Sequence, residues 1–117
     1  MKSYTDLNQS KKLAEILPLK SADMCFNISQ RHNMPPLMTP YSKFNKFFNM
    51  ETPDFLIPCW SLAALLNVLP YPFLSELSNE IWKCGCYPSG ICYYVAADSP
   101  IDACYEMIIK LHELKML

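Results

Sequence analysis

The segment Ile57–Pro70 constrains the fold most strongly, because it is nearly uncharged and contains a proline near each end. No charged residue occurs between Asp54 and Glu76. Leucines recur at the i, i+3, i+4 and i+7 spacing that lines up one helix face; they are Leu62, Leu65, Leu66 and Leu69. Ala63 and Ala64 fill most of the opposite side. The pattern therefore predicts a helix buried at the centre of a small domain.

Composition indicates one globular domain spanning residues 1–117. A chain of 117 residues fits a single core, and 51% of its residues are hydrophobic while 18% are charged. Ten basic and eleven acidic residues leave a net charge of −1. This balance argues against broad electrostatic capture of nucleic acid or of an anionic membrane.

The compartment is predicted from the N-terminus and from the cysteines. Residues Met1–Lys12 are polar and lack the apolar run of an export signal. The longest apolar run, Leu62–Leu69, is too short to span a membrane. We therefore expect a cytoplasmic protein without a membrane partner. Its six cysteines should be reduced, and most should be buried as small hydrophobic residues.

In the first half of the chain, a helix is expected to begin at Thr5 or Asp6. It should end at Leu17, because the proline that follows cannot continue it. Ser21–Asn27 reads as a short strand. Residues 29–54 are rich in proline and are expected to form an irregular loop.

In the second half, Ser61 is the expected N-cap of the central helix. The spacing of apolar residues in Phe73–Trp82 favours a short helix. Cys84–Ala97 has the turn chemistry and β-branched residues of a hairpin. Ser99, followed by a proline, is typical of the start of a last helix. The fold class predicted is α+β, with about three helices packed on a two- to four-stranded, mainly antiparallel sheet.

Residues 41–48 interleave aromatic and basic side chains. Five of them form the predicted interaction surface: Tyr41, Lys43, Phe44, Lys46 and Phe47. Loops rich in proline and aromatic residues often contact other proteins, so a protein partner is the leading expectation. The alternative is single-stranded nucleic acid, with bases stacked on the aromatic rings of Tyr41–Phe48 and phosphates paired with its lysines.

The cysteines allow a second alternative, a zinc site or a cysteine-dependent enzyme. Cys84, Cys86 and Cys92 could converge across the hairpin, and the fourth zinc ligand would be one of Cys25, Cys59, Cys104 or His112. Their C-x-C-x5-C spacing lacks the paired knuckles of typical zinc motifs. The simpler interpretation is that these thiols pack as small apolar residues.

Cys59 is the candidate nucleophile, because it lies just before the central helix, where the helix dipole would lower the pKa of a thiol. His32 could serve as its base. The alternative is a structural cysteine beside a buried Trp60. The chain lacks phosphate-binding glycine loops and hydrolase motifs, so no catalytic, metal or cofactor-binding residue is assigned, and the balance favours a non-enzyme.

Several short motifs together resemble a group of small uncharacterised proteins of Bacteroides-type gut bacteria and their phages and mobile elements. These motifs are Ser21-Ala-Asp-Met24, Ile57-Pro-Cys-Trp-Ser-Leu62 with Leu69-Pro70, and Asp102-Ala-Cys-Tyr-Glu-Met-Ile108 with Lys110-Leu111. The resemblance implies a bacterial, cytoplasmic context and no established activity. The expected role is a protein-interaction module or a phage or mobile-element accessory protein, with self-association left open.

Overall fold

The computed structural model describes residues 2–27, 37–38 and 56–117. Residue contacts divide the chain into an N-terminal unit, Tyr4–Ala64, and a C-terminal unit, Leu65–Leu117 together with Met1–Ser3. The described residues form three α-helices and two antiparallel three-stranded sheets. The α+β class is thereby confirmed, with the strands divided between two sheets where the sequence predicted one. The single-domain organisation stays a prediction.

Helix α1 of the N-terminal unit spans Leu7–Ile16 and begins where the sequence predicts. The Asp6 side chain accepts a hydrogen bond from the Gln9 backbone N–H, and the Gln9 side chain accepts one from the Asp6 N–H. This reciprocal capping satisfies two donors that the first helical turn leaves free. The helix ends at Ile16, one residue before the predicted end at Leu17. A 3₁₀ turn, Leu19–Ser21, follows.

The sheet of the N-terminal unit consists of β1 (Met24–Asn27), β2 (Leu37–Met38) and β3 (Leu56–Cys59), with β1 in the middle. Helix α1 packs against β3. The residues that lead into the central helix form a strand, because Ile57 and Pro58 pair with β1. Proline is compatible with this position because β3 is an edge strand of the described sheet.

Helix α2 spans only Leu62–Val68. Its N-cap is confirmed as Ser61, whose Oγ accepts a hydrogen bond from the Ala64 N–H at 3.3 Å. Leu65 is buried, but Ala63 is exposed. The helix is thus amphipathic, and the predicted burial around its whole circumference is wrong. Alanine exposes little apolar area, so one face of an uncharged helix can still meet water.

The C-terminal unit contains β4 (Phe73–Ser78), β5 (Ile81–Cys86) and β6 (Tyr93–Ala97) in the spatial order β4-β5-β6. The β5–β6 hairpin is confirmed, but the short helix predicted over Phe73–Trp82 is wrong. A tight turn joins β4 to β5, with Glu80 in the left-handed region at φ 64°. The apolar residues of this segment fit helical spacing equally well, and the turn contains no glycine to indicate its geometry.

Helix α3 spans Pro100–Glu113 and packs against β5 and β6. Its N-cap is Ser99, whose Oγ accepts a hydrogen bond from the Asp102 N–H at 3.1 Å. Asp102 also forms a 2.7 Å ion pair with Lys2. The buried stripe includes Ile101, Cys104, Met107, Ile108 and Leu111. In the part of the chain that the structure describes, no helix has both the length and the apolarity to cross a membrane.

Candidate functional site

Helix α3 packs on one face of the β4–β5–β6 sheet, against β5 and β6, and we call this the covered face. Cys84 of β5 lies on this covered face, because its thiol hydrogen-bonds to Cys104 of α3. Successive side chains of a strand point to opposite faces, so Lys83 and Gly85 lie on the other side. Within the C-terminal unit, the described helix α3 packs on the covered face, so this second face is the one opposite to α3.

The strand register defines which residues share this second face. Ser75 and Ala96 pair with Lys83, and Phe73 and Tyr94 pair with Gly85. We call this set the open face; it comprises Phe73, Ser75, Lys83, Gly85, Tyr94 and Ala96. Tyr94 keeps 56% of its surface exposed. Next to the open face, at the β4–β5 turn, Leu77 and Ile81 are also exposed.

Gly85 allows the Phe73 ring to lie across the open face. A Cβ atom at position 85 would be 2.2 Å from Cζ of Phe73, so no other residue fits beneath the ring in this position. The Phe73 ring also contacts Tyr87, with 5.9 Å between the ring centroids. Two aromatic rings therefore continue the apolar surface towards the end of β5.

Lys83 lies between the aromatic residues of the open face. Its Nζ is 4.2 Å from the Tyr94 ring centroid and 5.8 Å from that of Phe73. These distances are within the range of cation–π attraction, which holds the ammonium against the rings. The ion pairs found among the described residues do not include Lys83, so its charge is not neutralised by a carboxylate there.

A groove of about 890 Å³ lies at the β4–β5 turn, near the beginning of α3. Trp82 contributes to its wall, and Glu76, Glu80 and Asp98 supply three carboxylates. The groove is therefore acidic, in contrast to the open face, whose one charged residue is Lys83. The sheet thus presents two surfaces of opposite character.

Among the described residues, the cysteines do not converge on the zinc site that the sequence offered as an alternative. Cys84 and Cys86 are buried, whereas Cys92 is exposed. The Cys84 thiol hydrogen-bonds to Cys104, and this interaction, followed by burial, raises the pKa of Cys84. Burial raises the pKa of Cys86 to about 11. No group of three potential metal ligands was found among residues 2–27, 37–38 and 56–117.

Cys59 does not have the lowered pKa that its position before α2 predicts. Its side chain is fully buried, and this burial raises the pKa of the thiol. The thiol donates a hydrogen bond to the Thr5 carbonyl at 3.4 Å, which favours the protonated form. His32, the predicted base, lies outside the described residues. The environment of Cys59 is that of a structural thiol.

Thiol labelling tests this description of the cysteines. With iodoacetamide at pH 7.5, Cys92 should be alkylated first, and Cys59 and Cys84 should react at least about tenfold more slowly because burial keeps them protonated and shielded. Peptide mass spectrometry gives the rate at each site. The unfolded protein in urea is the control, in which all these rates should converge. Fast labelling of Cys59 in the folded protein would contradict its structural role.

The interaction surface predicted from sequence, Tyr41, Lys43, Phe44, Lys46 and Phe47, lies outside the described residues. Sequence reasoning missed the open face, because the predicted helix over Phe73–Trp82 concealed β4 and the start of β5. The sequence feature that could have indicated this strand and its two faces is the alternation of Lys83 and Gly85 with Cys84 and Cys86.

Comparison with known proteins found no matching family model, no matching curated protein and no matching solved structure.

Proposed function

We propose that this chain is a non-enzymatic protein-interaction module that binds its partner through the open face. The supporting observation is that an aromatic surface remains exposed on a sheet whose other face is covered by a helix. The water-facing side of an antiparallel sheet is normally polar. Here it carries Phe73 and Tyr94, with exposed Leu77 and Ile81 beside them.

The composition of this surface supports a protein as the partner. Protein interfaces are enriched in aromatic residues, and the open face contributes two, Phe73 and Tyr94, around its one charged residue, Lys83. Contiguous exposed apolar residues on a small protein often mark such an interface. The half-exposed Tyr94 supplies a large contact area at a low cost in side-chain entropy.

The context that we propose is the bacterial cytoplasm, with the role of a phage or mobile-element accessory protein. Support for it comes from the sequence, in the resemblance of the Ser21–Met24 and Ile57–Leu62 motifs. Binding of single-stranded nucleic acid by Tyr41–Phe48 and self-association stay predictions. The raised pKa values of Cys59 and Cys84 weigh against a cysteine nucleophile at either position.

Site-specific photocrosslinking tests the proposed function. We expect a benzoylphenylalanine introduced at Ser75 or at Tyr94 to form a discrete crosslinked species in a bacterial lysate, because both positions lie on the open face. Tyr94→Ser should reduce the crosslink from position 75 at least about fivefold, since a central aromatic contact carries much of the binding energy. Gel mobility and mass spectrometry measure the yield and identify the product.

Position 106 provides the matched control, because Glu106 is exposed on α3, the helix that packs on the covered face. A crosslinker at Glu106 should give no such species. Equal yields from positions 75 and 106, or a yield unaffected by Tyr94→Ser, would contradict binding through the open face.

A further inference from the structure

The open face carries one charge, and that charge is held in a fixed place. Lys83 is the only ionisable residue of the set with a formal charge at neutral pH, and it lies between its neighbours Ser75 and Ala96 on the flanking strands. The Tyr94 ring, 4.2 Å from Nζ, restrains the ammonium. A partner that covers this face must either pair with the ammonium or bury it without a counter-charge. Burial of an unpaired charge costs binding free energy, so pairing is favoured.

We infer that the open face binds a protein segment presenting a single aspartate or glutamate carboxylate to Lys83, with apolar side chains on both sides of it. This inference rests on the proposed function, because it specifies the partner of the same surface. The carboxylate would accept hydrogen bonds from the Lys83 ammonium. The flanking apolar side chains would cover Tyr94 on one side and Phe73 on the other.

The geometry makes Lys83 a good receptor for one carboxylate. Its ammonium already contacts the aromatic rings, so binding immobilises less side-chain freedom than at a free surface lysine. The rings exclude water from one side of the ion pair, which weakens dielectric screening. Charge-assisted hydrogen bonds of this kind are about twice as strong as neutral ones.

Two other occupants fit the open face less well. A second copy packed face to face would bring two Lys83 ammonium groups together, and no residue of the open face is acidic. Single-stranded nucleic acid requires a groove with several cations that follow its phosphates. The open face offers one cation. A single carboxylate flanked by apolar groups matches both this single charge and the aromatic rings around it.

Selection of peptides on the 117-residue chain provides the test. A random dodecapeptide phage library is panned on the immobilised chain, after removal of phage that bind the Tyr94→Ser variant. We expect the enriched peptides to share one Asp or Glu flanked by apolar residues. A synthetic peptide of the most enriched sequence then serves as the probe, with its Kd measured by fluorescence polarisation.

Substitutions on both sides of the pair separate charge from packing. Lys83→Met keeps the aliphatic stem against the rings but removes the ammonium, so it should weaken the peptide at least about tenfold. Lys83→Arg is the matched control and should remain within about threefold of the wild type. Replacing the peptide's acid by its amide should weaken binding to the wild type about tenfold and leave binding to Lys83→Met unchanged.

The outcomes distinguish the inference from the proposed function. Peptides that depend on Tyr94 but lack an acid, or that bind Lys83→Met as tightly as the wild type, would overturn the inference and leave the proposed function standing. No enrichment after removal of binders to Tyr94→Ser would contradict both. Binding of a fluorescent oligothymidine that Lys83→Met abolishes would overturn the assignment of a protein partner.

Discussion

Trp60→Ala is expected to lower the free energy of unfolding by about 3–5 kcal/mol. Trp60 is the largest side chain of the described core and is fully buried. The substitution leaves a cavity, and it also removes the hydrogen bond from the indole Nε1 to Ser21 Oγ at 2.9 Å. For a chain of this size, the midpoint of thermal unfolding should fall by roughly 12–20 °C. Circular dichroism in urea and during heating measures both quantities.

Two milder substitutions divide this loss between packing and hydrogen bonding. Ser21→Ala leaves the indole N–H without its partner and should cost about 1–3 kcal/mol. Trp60→Phe keeps a ring in the core and should be less destabilising than Trp60→Ala. A loss below about 1 kcal/mol for Trp60→Ala would show that Trp60 is not a central part of the core.

Trp60 belongs to a buried polar network that also fixes the beginning of α2. Its backbone N–H donates to Thr5 Oγ1 at 3.1 Å, and Thr5 Oγ1 lies 2.8 Å from Ser10 Oγ. At the next residue, the Ser61 N–H and hydroxyl both donate to the Asp23 carboxylate. In this network Thr5, which precedes α1, and Asp23, which precedes β1, satisfy the backbone N–H groups at the β3–α2 junction.

Features that depend on a few adjacent residues could be predicted from the sequence. The caps at Ser61 and Ser99 and the end of α1 near Leu17 follow from local hydrogen bonding and from proline geometry. The β5–β6 hairpin has a turn with recognisable chemistry. These parts of the fold could be predicted because the interactions that determine them join residues that are close together in the sequence.

Features that depend on tertiary contacts could not be predicted in this way. The pKa of Cys59 follows burial, which outweighs any effect of the nearby helix end. The open face requires Phe73, Lys83 and Tyr94 to meet on three strands, and their spacing in the chain reveals neither the register nor the face. The β4–β5 turn requires a positive φ at Glu80. Glutamate rarely adopts this conformation, so the sequence gives no indication of the turn.

Gly85→Ala is expected to lower the free energy of unfolding by about 1–3 kcal/mol and to displace the Phe73 ring. The added Cβ would be 2.2 Å from Phe73 Cζ and 2.9 Å from the Tyr93 carbonyl oxygen. The ring can rotate away, but it then loses its contacts with Lys83 and Tyr87. Urea unfolding followed by circular dichroism measures the stability loss.

A double substitution shows whether the loss arises at the ring. In a Phe73→Ala background, Gly85→Ala should cost at least about 1 kcal/mol less than in the wild type, because the closest colliding atoms are absent. The carbonyl contact remains, so the rescue should be incomplete. Gly90→Ala is the control: no atom lies within 4 Å of its added Cβ, and its cost comes from a φ of +81° alone. The stability loss from Gly90→Ala should therefore be the same with and without Phe73. If the stability loss from Gly85→Ala is also the same in both backgrounds, Gly85 does not position the Phe73 ring.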